Sequence, residues 1–462
     1  MRLLDNNGAS SSVCQFLVGS AAGMPGFSFF IRLNGHEDIF LKLLIAIKCI
    51  LDKMGKSLKY FFEGAVVLPS ILRQASQFVL AQSQPEYHRF LYKKINFDER
   101  LICLKGARGA GKTTLLLQYV DSIEIPKNKI LYVACDHPAM AGISLYEMAQ
   151  TFFQEGGRLF LVDEVHKAKG FARELKAIND TFDLQVIFSG SSALRIDHEL
   201  ADLSRRAVIY ELPVLSFREF LEIETGSRFE AYSLEGIVKN HQAISAEICA
   251  KIRPIELFQK YLQHGSYPFY LESEETYIQK LLEVINITID SDLCGLFNIE
   301  PRKLDTLKKI LYMLCSTPPF ELNKSKLSSA VGASWPTLSK YLERMEAGSL
   351  IHSVRGGTGM RTLNRPNKLM LNNPNMFFAL CASPNTGSIR ETFFVSQVSQ
   401  GHEVHYHDQG DFIVDEKFIF EIGGPGKTKG QLGKQGQAFV ASDGIESGAP
   451  WQIPLWVLGL GY

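Results

Sequence analysis

The sequence contains few of the features that mark secreted, metal-binding or membrane-spanning proteins. Its eight cysteines include no pair at CxxC spacing, so neither a thioredoxin-type motif nor a zinc site is indicated. The most apolar stretch, 40–51, is interrupted by two lysines and is too short to cross a bilayer. We therefore predict a cytoplasmic protein with reduced thiols and no membrane contact.

An excess of charge of one sign is also lacking, because 49 Lys and Arg residues balance 49 Asp and Glu residues. A chain that is basic throughout, as a nucleic-acid coat would be, is excluded, whereas a local basic face is not. With 46% hydrophobic and 21% charged residues, the composition also excludes a disordered or collagen-like chain. The 462 residues are about three times the length of one ordinary domain, so we expect two or three domains.

The chain starts with a Gly- and Ser-rich segment. We predict that residues 1–54 are a flexible or helical extension, with Met54 as an alternative start, because a signal peptide needs a longer apolar core. From residue 55 onward, short apolar runs alternate with helical segments. The runs predicted to be strands are 101–105, 129–134, 159–164, 184–189 and 207–211. This alternation predicts an α/β domain over 55–215, built on a mostly parallel sheet.

The strongest motif lies between the first of these strands and a helix. Gly106, Gly111, Lys112 and Thr113 match the GxxxxGK[ST] phosphate-binding loop. The glycines let backbone N–H groups point at phosphate oxygens, Lys112 neutralises phosphate charge, and the Thr113 hydroxyl can bind Mg²⁺. We therefore predict ATP and Mg²⁺ as cofactors. The residues predicted to bind the nucleotide are Gly106, Ala107, Arg108, Gly109, Ala110, Gly111, Lys112, Thr113 and Thr114.

Four further positions predicted to be catalytic follow this loop. At the end of the third predicted strand, Asp163 would hold Mg²⁺, and Glu164 would be the general base that polarises the attacking water. After the next strand, Ser189 or Ser191 would sense the γ-phosphate or orient the water, although a plain Gly/Ser turn fits this segment equally well. Arg206 would stabilise transition-state charge as an arginine finger, or would be one of a surface pair of arginines.

Residues 216–300 are predicted to form a helical lid region, and a new unit begins at residue 301. Three short helices followed by a hairpin predict a winged-helix domain over 301–372. Residues 301–355 contain nine Lys and Arg against four Asp and Glu, and the candidate recognition helix includes Lys340 and Arg344. DNA binding fits this pattern, and so does a helical spacer or protein-contact module with a basic solvated face.

In combination, these motifs resemble those of prokaryotic ATP-binding proteins of the AAA superfamily, in which a P-loop ATPase core is joined to a C-terminal domain of unknown function. The resemblance covers most of the chain, from residue 85 to residue 462. The stretches that carry it are 106–114, 160–164, 188–192, 212–220, 265–269, 371–374, 387–394 and 410–424. It implies ATP binding and hydrolysis, but no particular substrate. Where the family usually has Gly before the arginine that corresponds to Arg206, this chain has Arg205.

The C-terminal region, 373–462, resembles a small α/β domain with the restriction-endonuclease-like fold. In this resemblance, Glu391, Asp411 and Glu421 take the places of three metal-binding carboxylates, whereas Gly423 takes the place of the catalytic lysine. The resemblance therefore implies a degenerate domain, and we expect no nuclease activity. Three nearby histidines are predicted to lie on a solvated strand edge rather than to bind a metal: His402, His405 and His407.

Two functions fit this organisation. The first is a Mg²⁺-dependent ATPase whose turnover rearranges the other modules on DNA or on a protein partner. The alternative is a non-hydrolysing, nucleotide-gated regulatory or binding protein. The pair Asp163 and Glu164 favours turnover, because a protein that only binds nucleotide needs no base.

A helicase is disfavoured because no second motor domain follows, and a small-molecule kinase because no lid with paired basic residues is evident. A finger arginine that acts on a second copy would require a homo-oligomer, whereas one acting within its own chain would not.

Overall fold

The computed structural model describes residues 12–17, 28–33, 70–190, 203, 205–294, 301–316, 320–321, 324–356, 368–428, 430 and 437–462. The chain divides into two units, Met1–Val67 and Leu68–Tyr462. In the first unit, β1 (Ser12–Leu17) pairs antiparallel with β2 (Ser28–Leu33). The extension predicted to be flexible or helical therefore contains a strand pair, and the rest of that prediction lies outside the described residues.

The second unit contains a five-stranded parallel sheet with the spatial order β4-β5-β6-β3-β7. Each strand starts within one residue of its predicted position, so the predicted α/β core is confirmed. The strands were predictable because four of them are buried over almost their whole length and therefore appear as mostly apolar runs. The strands are β3 (Leu101–Gly106), β4 (Ile130–Ala134), β5 (Leu159–Asp163), β6 (Gln185–Gly190) and β7 (Val208–Leu212).

Helices cover both faces of this sheet. Ile102 and Leu104 pack into a core that includes α2, whereas Leu101 and Cys103 pack into a second core with α3 and α4, as the alternation of side chains along a strand requires. Ser144 caps the start of α3, because its hydroxyl accepts a hydrogen bond from the Glu147 backbone N–H. The helices of this domain are α1 (Ser70–Leu80), α2 (Lys112–Ser122), α3 (Leu145–Gln154) and α4 (Phe171–Thr181).

The region after β7 is helical, as predicted. It comprises α5 (Phe217–Thr225), α6 (Leu234–Cys249), α7 (Pro254–His264) and α8 (Glu274–Ile287). The last of these continues without a break into a π-helical segment, Thr288–Leu293. Such segments are rare and often occur at functional sites.

The next part of the chain has the helices and strands that the winged-helix prediction requires. They are α9 (Pro301–Ser316), α10 (Lys324–Val331), α11 (Trp335–Ala347), β8 (Phe320–Glu321), β9 (Ile351–Val354) and β10 (Lys368–Leu371). The strands form an antiparallel sheet with the order β8-β10-β9. The assignment to the winged-helix class stays a prediction.

The C-terminal part is again α/β, and its restriction-endonuclease-like assignment also stays a prediction. Two helices precede a five-stranded mixed sheet with the order β11-β12-β13-β14-β15, antiparallel in its first two pairings and parallel in its last two. The elements are α12 (Asn375–Leu380), α13 (Thr386–Val398), β11 (Val404–Tyr406), β12 (Phe412–Val414), β13 (Phe418–Gly423), β14 (Ala438–Ser442) and β15 (Gln452–Pro454). The chain then returns to α5, where the Tyr462 carbonyl accepts hydrogen bonds from Ser216 and Arg218.

Two cysteines of the described residues, Cys103 and Cys135, are buried. Cys315 of α9 and Cys381 lie side by side, with their Cα atoms 6.0 Å apart. The reduced state of the thiols stays a prediction. Within the described ranges, no helix combines the length and the apolar character needed to cross a membrane.

Candidate nucleotide-binding site

The predicted phosphate-binding loop joins β3 to α2 at the carboxyl edge of the parallel sheet. A Cβ atom on Gly106 would lie 2.2 Å from the carbonyl oxygen of Leu212, and one on Gly109 would lie 2.9 Å from the ring of Phe269. Gly109 also has a φ angle of 81°, which side chains disfavour. The loop therefore has its wrapped shape because glycine alone fits at these positions.

Lys112 is buried within this loop. Its Nζ atom donates hydrogen bonds to the carbonyl oxygens of Gly106 (3.0 Å) and Ala107 (2.9 Å). Burial lowers the pKa of the ammonium group, while the carboxylates of Glu164 and Asp163 oppose that effect. An ammonium group held away from bulk water interacts strongly with an anion such as a phosphate.

Asp163 accepts four hydrogen bonds at the carboxyl end of β5. The Thr113 hydroxyl (2.6 Å) and the Tyr132 hydroxyl (2.8 Å) both donate to its Oδ2 atom. The Ser189 hydroxyl and the Glu164 backbone N–H (3.1 Å) donate to its Oδ1 atom. These bonds fix the carboxylate beside the loop. The structure thus brings together the two residues predicted to hold the metal, Thr113 and Asp163.

The pair fits a Mg²⁺ ion bound largely through phosphates and water. Both side chains offer the oxygen atoms that Mg²⁺ prefers, and a site of this kind usually takes only one or two ligands from the protein. This agrees with the finding that the described residues include no group of three or more His, Cys, Asp and Glu arranged to hold a metal.

Glu164 lies in a strained turn directly after Asp163. Its φ angle of 51° is left-handed, a conformation that is uncommon for residues other than glycine and that is concentrated at functional sites. The carboxylate is partly exposed and lies 3.4 Å from the Nδ1 atom of His166. The residue therefore has both the location and the access to water that a general base needs. Its catalytic role stays a prediction.

Ser189 has a more specific contact than the sequence indicated. It is fully buried at the end of β6, the strand that separates β5 from β3. Its hydroxyl donates to Asp163 and lies 3.4 Å from the Glu164 backbone N–H. Ser189 therefore orients the acidic pair in this structure, and contact with a phosphate or a water stays a prediction. The other candidate serine, at position 191, lies outside the described residues.

Arg206 is not brought to this site. It precedes β7, whose strand direction is parallel to that of β3, so it lies at the amino edge of the sheet, whereas the loop lies at the carboxyl edge. Its guanidinium group forms two hydrogen bonds with Asp180 near the end of α4, at 2.7 and 2.9 Å. The predicted finger role within its own chain therefore lacks the necessary geometry.

Sequence reasoning missed a buried arginine that supports the loop. Arg89 donates to the Ala110 carbonyl (2.6 Å) and to both carboxylate oxygens of Glu219 in α5 (2.8 and 3.1 Å). Glu219 is completely buried and also completes a capping box with Ser216. The only signal in the sequence was the stretch 212–220, which carried part of the family resemblance without an assigned role.

Two other stretches that carry the family resemblance, 265–269 and 371–374, meet beside the phosphate-binding loop. From the segment 265–269, Pro268 and Phe269 pack against Gly111 and Gly109. In the same segment, the hydroxyl of Tyr267 accepts a hydrogen bond from the Asn373 side chain, which follows β10 (3.0 Å). The loop is therefore connected through buried contacts to the C-terminal third of the chain.

The three carboxylates predicted from the nuclease resemblance face lysines. Lys368, 6% exposed at the start of β10, forms an ion pair with Glu391 and lies 3.8 Å from Asp411. Lys427 lies 2.6 Å from Glu421. Burial raises the pKa of Glu391 to about 7, although the charge of Lys368 opposes the rise. Neither ion pair was predicted from the sequence.

The three predicted strand-edge histidines have separate partners. His402 lies 2.6 Å from Asp415, His405 lies 3.7 Å from Glu403, and His407 accepts a hydrogen bond from the Gln409 backbone N–H. That these histidines do not bind a metal stays a prediction.

Comparisons with known proteins agree with the geometry of the core. Residues 98–221 match the profile of an AAA domain, and residues 255–383 match the profile of a domain of unknown function, DUF8612. The first match and the parallel sheet together support an AAA-type P-loop ATPase core that binds nucleotide. The second match covers helices that follow the AAA domain, and it assigns no function to them.

Two relatives extend the similarity over more of the chain. An uncharacterized protein of Methanocaldococcus jannaschii is 27% identical over 412 residues, which cover 79% of this chain and 86% of the relative. An uncharacterized protein of Haemophilus influenzae is 24% identical over 284 residues, which cover 58% of this chain and 65% of the relative. The AMPPCP-bound structure of DnaA from Aquifex aeolicus aligns with 63% of this chain and 93% of its own, at 14% identity and a TM-score of 0.24. At this TM-score, the likeness supports no argument about function.

Proposed function

We propose that the protein is a cytoplasmic, Mg²⁺-dependent ATPase whose turnover rearranges its helical and C-terminal parts on DNA or on a protein partner. The observation that carries the proposal is the 2.6 Å contact between Thr113 and Asp163, beside the loop that contains Lys112. These are the groups needed to hold the phosphates and the metal of one nucleotide. The match of residues 98–221 to an AAA domain supports the same conclusion.

In this proposal, the residues of the site have distinct roles. The loop backbone and Lys112 bind the β- and γ-phosphates, and Mg²⁺ between Thr113 and Asp163 would supply charge neutralisation on those phosphates. Glu164 takes a proton from the attacking water, while Ser189 keeps the acidic pair oriented through its bond to Asp163. The Glu164 carboxylate is partly exposed, so water can reach it.

The test is steady-state hydrolysis of Mg²⁺-ATP by the full chain and by Glu164→Gln, with and without duplex DNA. We expect Glu164→Gln to bind ATP with wild-type affinity and to lose at least about a hundredfold in turnover, as expected for removal of a general base. Lys112→Ala should bind no nucleotide. Glu124→Gln, which removes an exposed carboxylate elsewhere in the domain, is the matched control and should retain wild-type turnover.

Equal turnover by wild type and Glu164→Gln would overturn the assignment of the base. Tight binding of ATP without turnover by the wild type would favour the alternative, a non-hydrolysing nucleotide-gated protein. Turnover that rises with DNA would support a DNA-coupled ATPase, and turnover indifferent to DNA would favour a protein partner.

DNA is proposed as a partner because of the exposed lysines in the three-helix part. Lys309, Lys324, Lys326 and Lys340 are exposed on α9, α10 and α11, the last of which is the candidate recognition helix. If these lysines contact phosphates, Lys340→Glu should weaken duplex binding and lower its dependence on salt concentration. Lys251→Glu, at an exposed lysine just after α6, is the matched control. Equal binding by both variants would argue against this surface.

We do not propose nuclease activity for the C-terminal part. Its carboxylates are paired with Lys368 and Lys427, so a divalent cation would have to displace these ammonium groups. Cleavage of plasmid DNA that requires a divalent metal and is lost in Asp411→Ala would overturn this conclusion.

A further inference from the structure

A buried carboxylate lies between the phosphate-binding loop and the helices that follow the core. Asp292, 3% exposed, is part of the π-helical segment Thr288–Leu293. A buried carboxylate is costly unless cations surround it. Within the part of the chain that the structure describes, the basic side chains that face Asp292 all come from the nucleotide-binding domain, which makes this residue a direct connection between the two regions.

The partners of Asp292 flank the phosphate site on both sides. Arg108, the third residue of the loop, lies 3.6 Å from Oδ2. Lys167 (2.7 Å) and His166 (3.7 Å), which follow the acidic pair, face Oδ1. Burial alone would raise the pKa of Asp292, but the contacts with His166 and Lys167 and the charge of Arg108 outweigh it and hold the pKa well below its usual range. Asp292 is therefore an anion at neutral pH.

Arg108 is incompletely satisfied by this contact. Its Nε atom is buried and makes no hydrogen bond with the described residues, and 3.6 Å is too long for one with Asp292. An arginine in a phosphate-binding loop that has a donor to spare can form a shorter, stronger bond with a phosphate oxygen. The charge of Asp292 also raises the pKa of Lys112, so the carboxylate lies within electrostatic range of the phosphate site.

The same π-helical segment packs against the three-helix part. A Cβ atom on Gly348, just after α11, would lie 3.3 Å from the Leu293 side chain and 3.5 Å from that of Thr288. A shift of this segment therefore also moves the end of α11, because closely packed groups move together. One side of the segment contacts the phosphate loop, and the other contacts the candidate DNA-binding helix.

On the basis of the proposed ATPase function, we propose that Asp292 is a specificity-determining residue that competes with the terminal phosphate of a nucleoside triphosphate for Arg108. A triphosphate reaches Arg108 and releases it from Asp292, whereas a diphosphate lacks the γ-phosphate and leaves the ion pair intact. Asp292 thus lowers the preference of the loop for ATP over ADP. Because ATP binding takes Arg108 away from Asp292, it also loosens the contact between the π-helical segment and the loop. This loosening couples nucleotide binding to movement of the helices in the proposed ATPase.

The test compares the affinities of the full chain for a non-hydrolysable ATP analogue and for ADP, both with Mg²⁺, by calorimetry. Asp292→Asn removes the competing charge and should raise the ratio of triphosphate to diphosphate affinity by about tenfold, a typical coupling between sites. Arg108→Gln should lower this ratio, and the double variant should behave like Arg108→Gln alone. Asp290→Asn is the matched control, because Asp290 lies on the same segment but is exposed and faces Lys308 at 3.3 Å.

An affinity ratio in Asp292→Asn that is equal to or below the wild-type value would overturn the proposal. If Asp292→Asn does not fold, as judged by its thermal unfolding, Arg108→Gln decides instead, because this side chain is partly exposed. An unchanged ratio in Arg108→Gln would then count against the proposal.

The role of Asp292 and the ATPase function can fail independently. If the wild type binds both nucleotides and Lys112→Ala binds neither, the nucleotide site is established whatever Asp292 does. Hydrogen exchange of residues 274–293 provides a second measurement. Exchange should increase when the triphosphate analogue is added to the wild type, but not when ADP is added, and Asp292→Asn should show fast exchange without any nucleotide.

Discussion

Arg89 and Glu219, which are 130 residues apart in the sequence, form a buried ion pair with 2.8 Å between Nε and Oε1. The same guanidinium group donates to the Ala110 carbonyl in the phosphate-binding loop, so the pair connects the loop to α5. Both side chains are removed from water, and each depends on the other for compensation of its charge. The shape of the loop therefore depends on a residue that precedes the sheet altogether.

The first prediction concerns this pair. Arg89→Ala should lower the free energy of unfolding by about 3–5 kcal/mol, because it leaves the Glu219 carboxylate buried without a counter-charge. Nucleotide affinity should fall as well, because the Ala110 carbonyl loses its donor. Urea unfolding and calorimetry measure the two effects. Lys251→Ala, which breaks the exposed pair with Glu247, is the control and should leave the free energy of unfolding nearly unchanged. Equal losses in the two variants would show that burial of the Arg89 pair is unimportant.

The second prediction concerns Tyr132, whose hydroxyl donates to Asp163 at 2.8 Å. A partner that orients a metal-binding carboxylate typically contributes about ten- to a hundredfold to metal affinity or activity. Tyr132→Phe keeps the ring but removes the donor, so we expect turnover to fall by about tenfold while the fold is retained. Steady-state hydrolysis over a range of Mg²⁺ concentrations measures the effect. Tyr146→Phe, in α3 of the same domain, should leave turnover unchanged. Wild-type activity in Tyr132→Phe would show that Thr113 and Ser189 orient Asp163 without it.

The third prediction concerns pH and Glu391. Burial raises its pKa to about 7 in the folded protein from the ordinary value of 4.5, with Lys368 opposing and Asp411 adding to the rise. A carboxyl group whose pKa is raised by folding stabilises the folded state fully below pH 4.5, and this contribution is lost as the pH rises through 7. The loss amounts to about 3 kcal/mol. Glu391→Gln has no such proton to lose.

The measurement for Glu391 is urea unfolding of wild type and variant between pH 4.5 and 8. The difference in unfolding free energy between wild type and Glu391→Gln should change across this range, with the variant gaining relative stability as the pH rises. Glu256→Gln, at an exposed carboxylate, should follow the wild type at every pH. Parallel curves for wild type and Glu391→Gln would contradict the raised pKa.

The parallel sheet could be predicted from the sequence because its signals are local. A strand buried on both faces is a continuous apolar run, and Leu159–Asp163 ends with the acidic residue that the site requires. The glycine pattern of the loop likewise determines its own shape. The sequence alone therefore predicted that Thr113 and Asp163 lie close together.

The remaining residues of the site could not be found in this way because their partners are distant in the sequence. Asp292 contacts Lys167, 125 residues earlier, and no local pattern distinguishes it from exposed Asp290. Likewise, the ion pair between Lys368 and Glu391 arises only when β10 and α13 meet in the folded chain. Buried charge pairs of this kind depend on tertiary packing, not on residue spacing.

The last prediction concerns Arg206, which sequence reasoning placed in the catalytic site. In the structure, its guanidinium group is bonded to Asp180 at the amino edge of the sheet, while the phosphate loop lies at the carboxyl edge of β3. A five-residue strand spans about 16 Å, which is more than an arginine side chain can reach. Arg206→Ala should therefore change turnover by less than about twofold, whereas removal of a true finger arginine costs about a thousandfold or more.

Hydrolysis is measured at several protein concentrations, with Lys112→Ala as the inactive reference. A large loss in Arg206→Ala that appears only at high protein concentration would mean that this arginine acts on the nucleotide of a second copy, and it would make oligomerisation part of the mechanism.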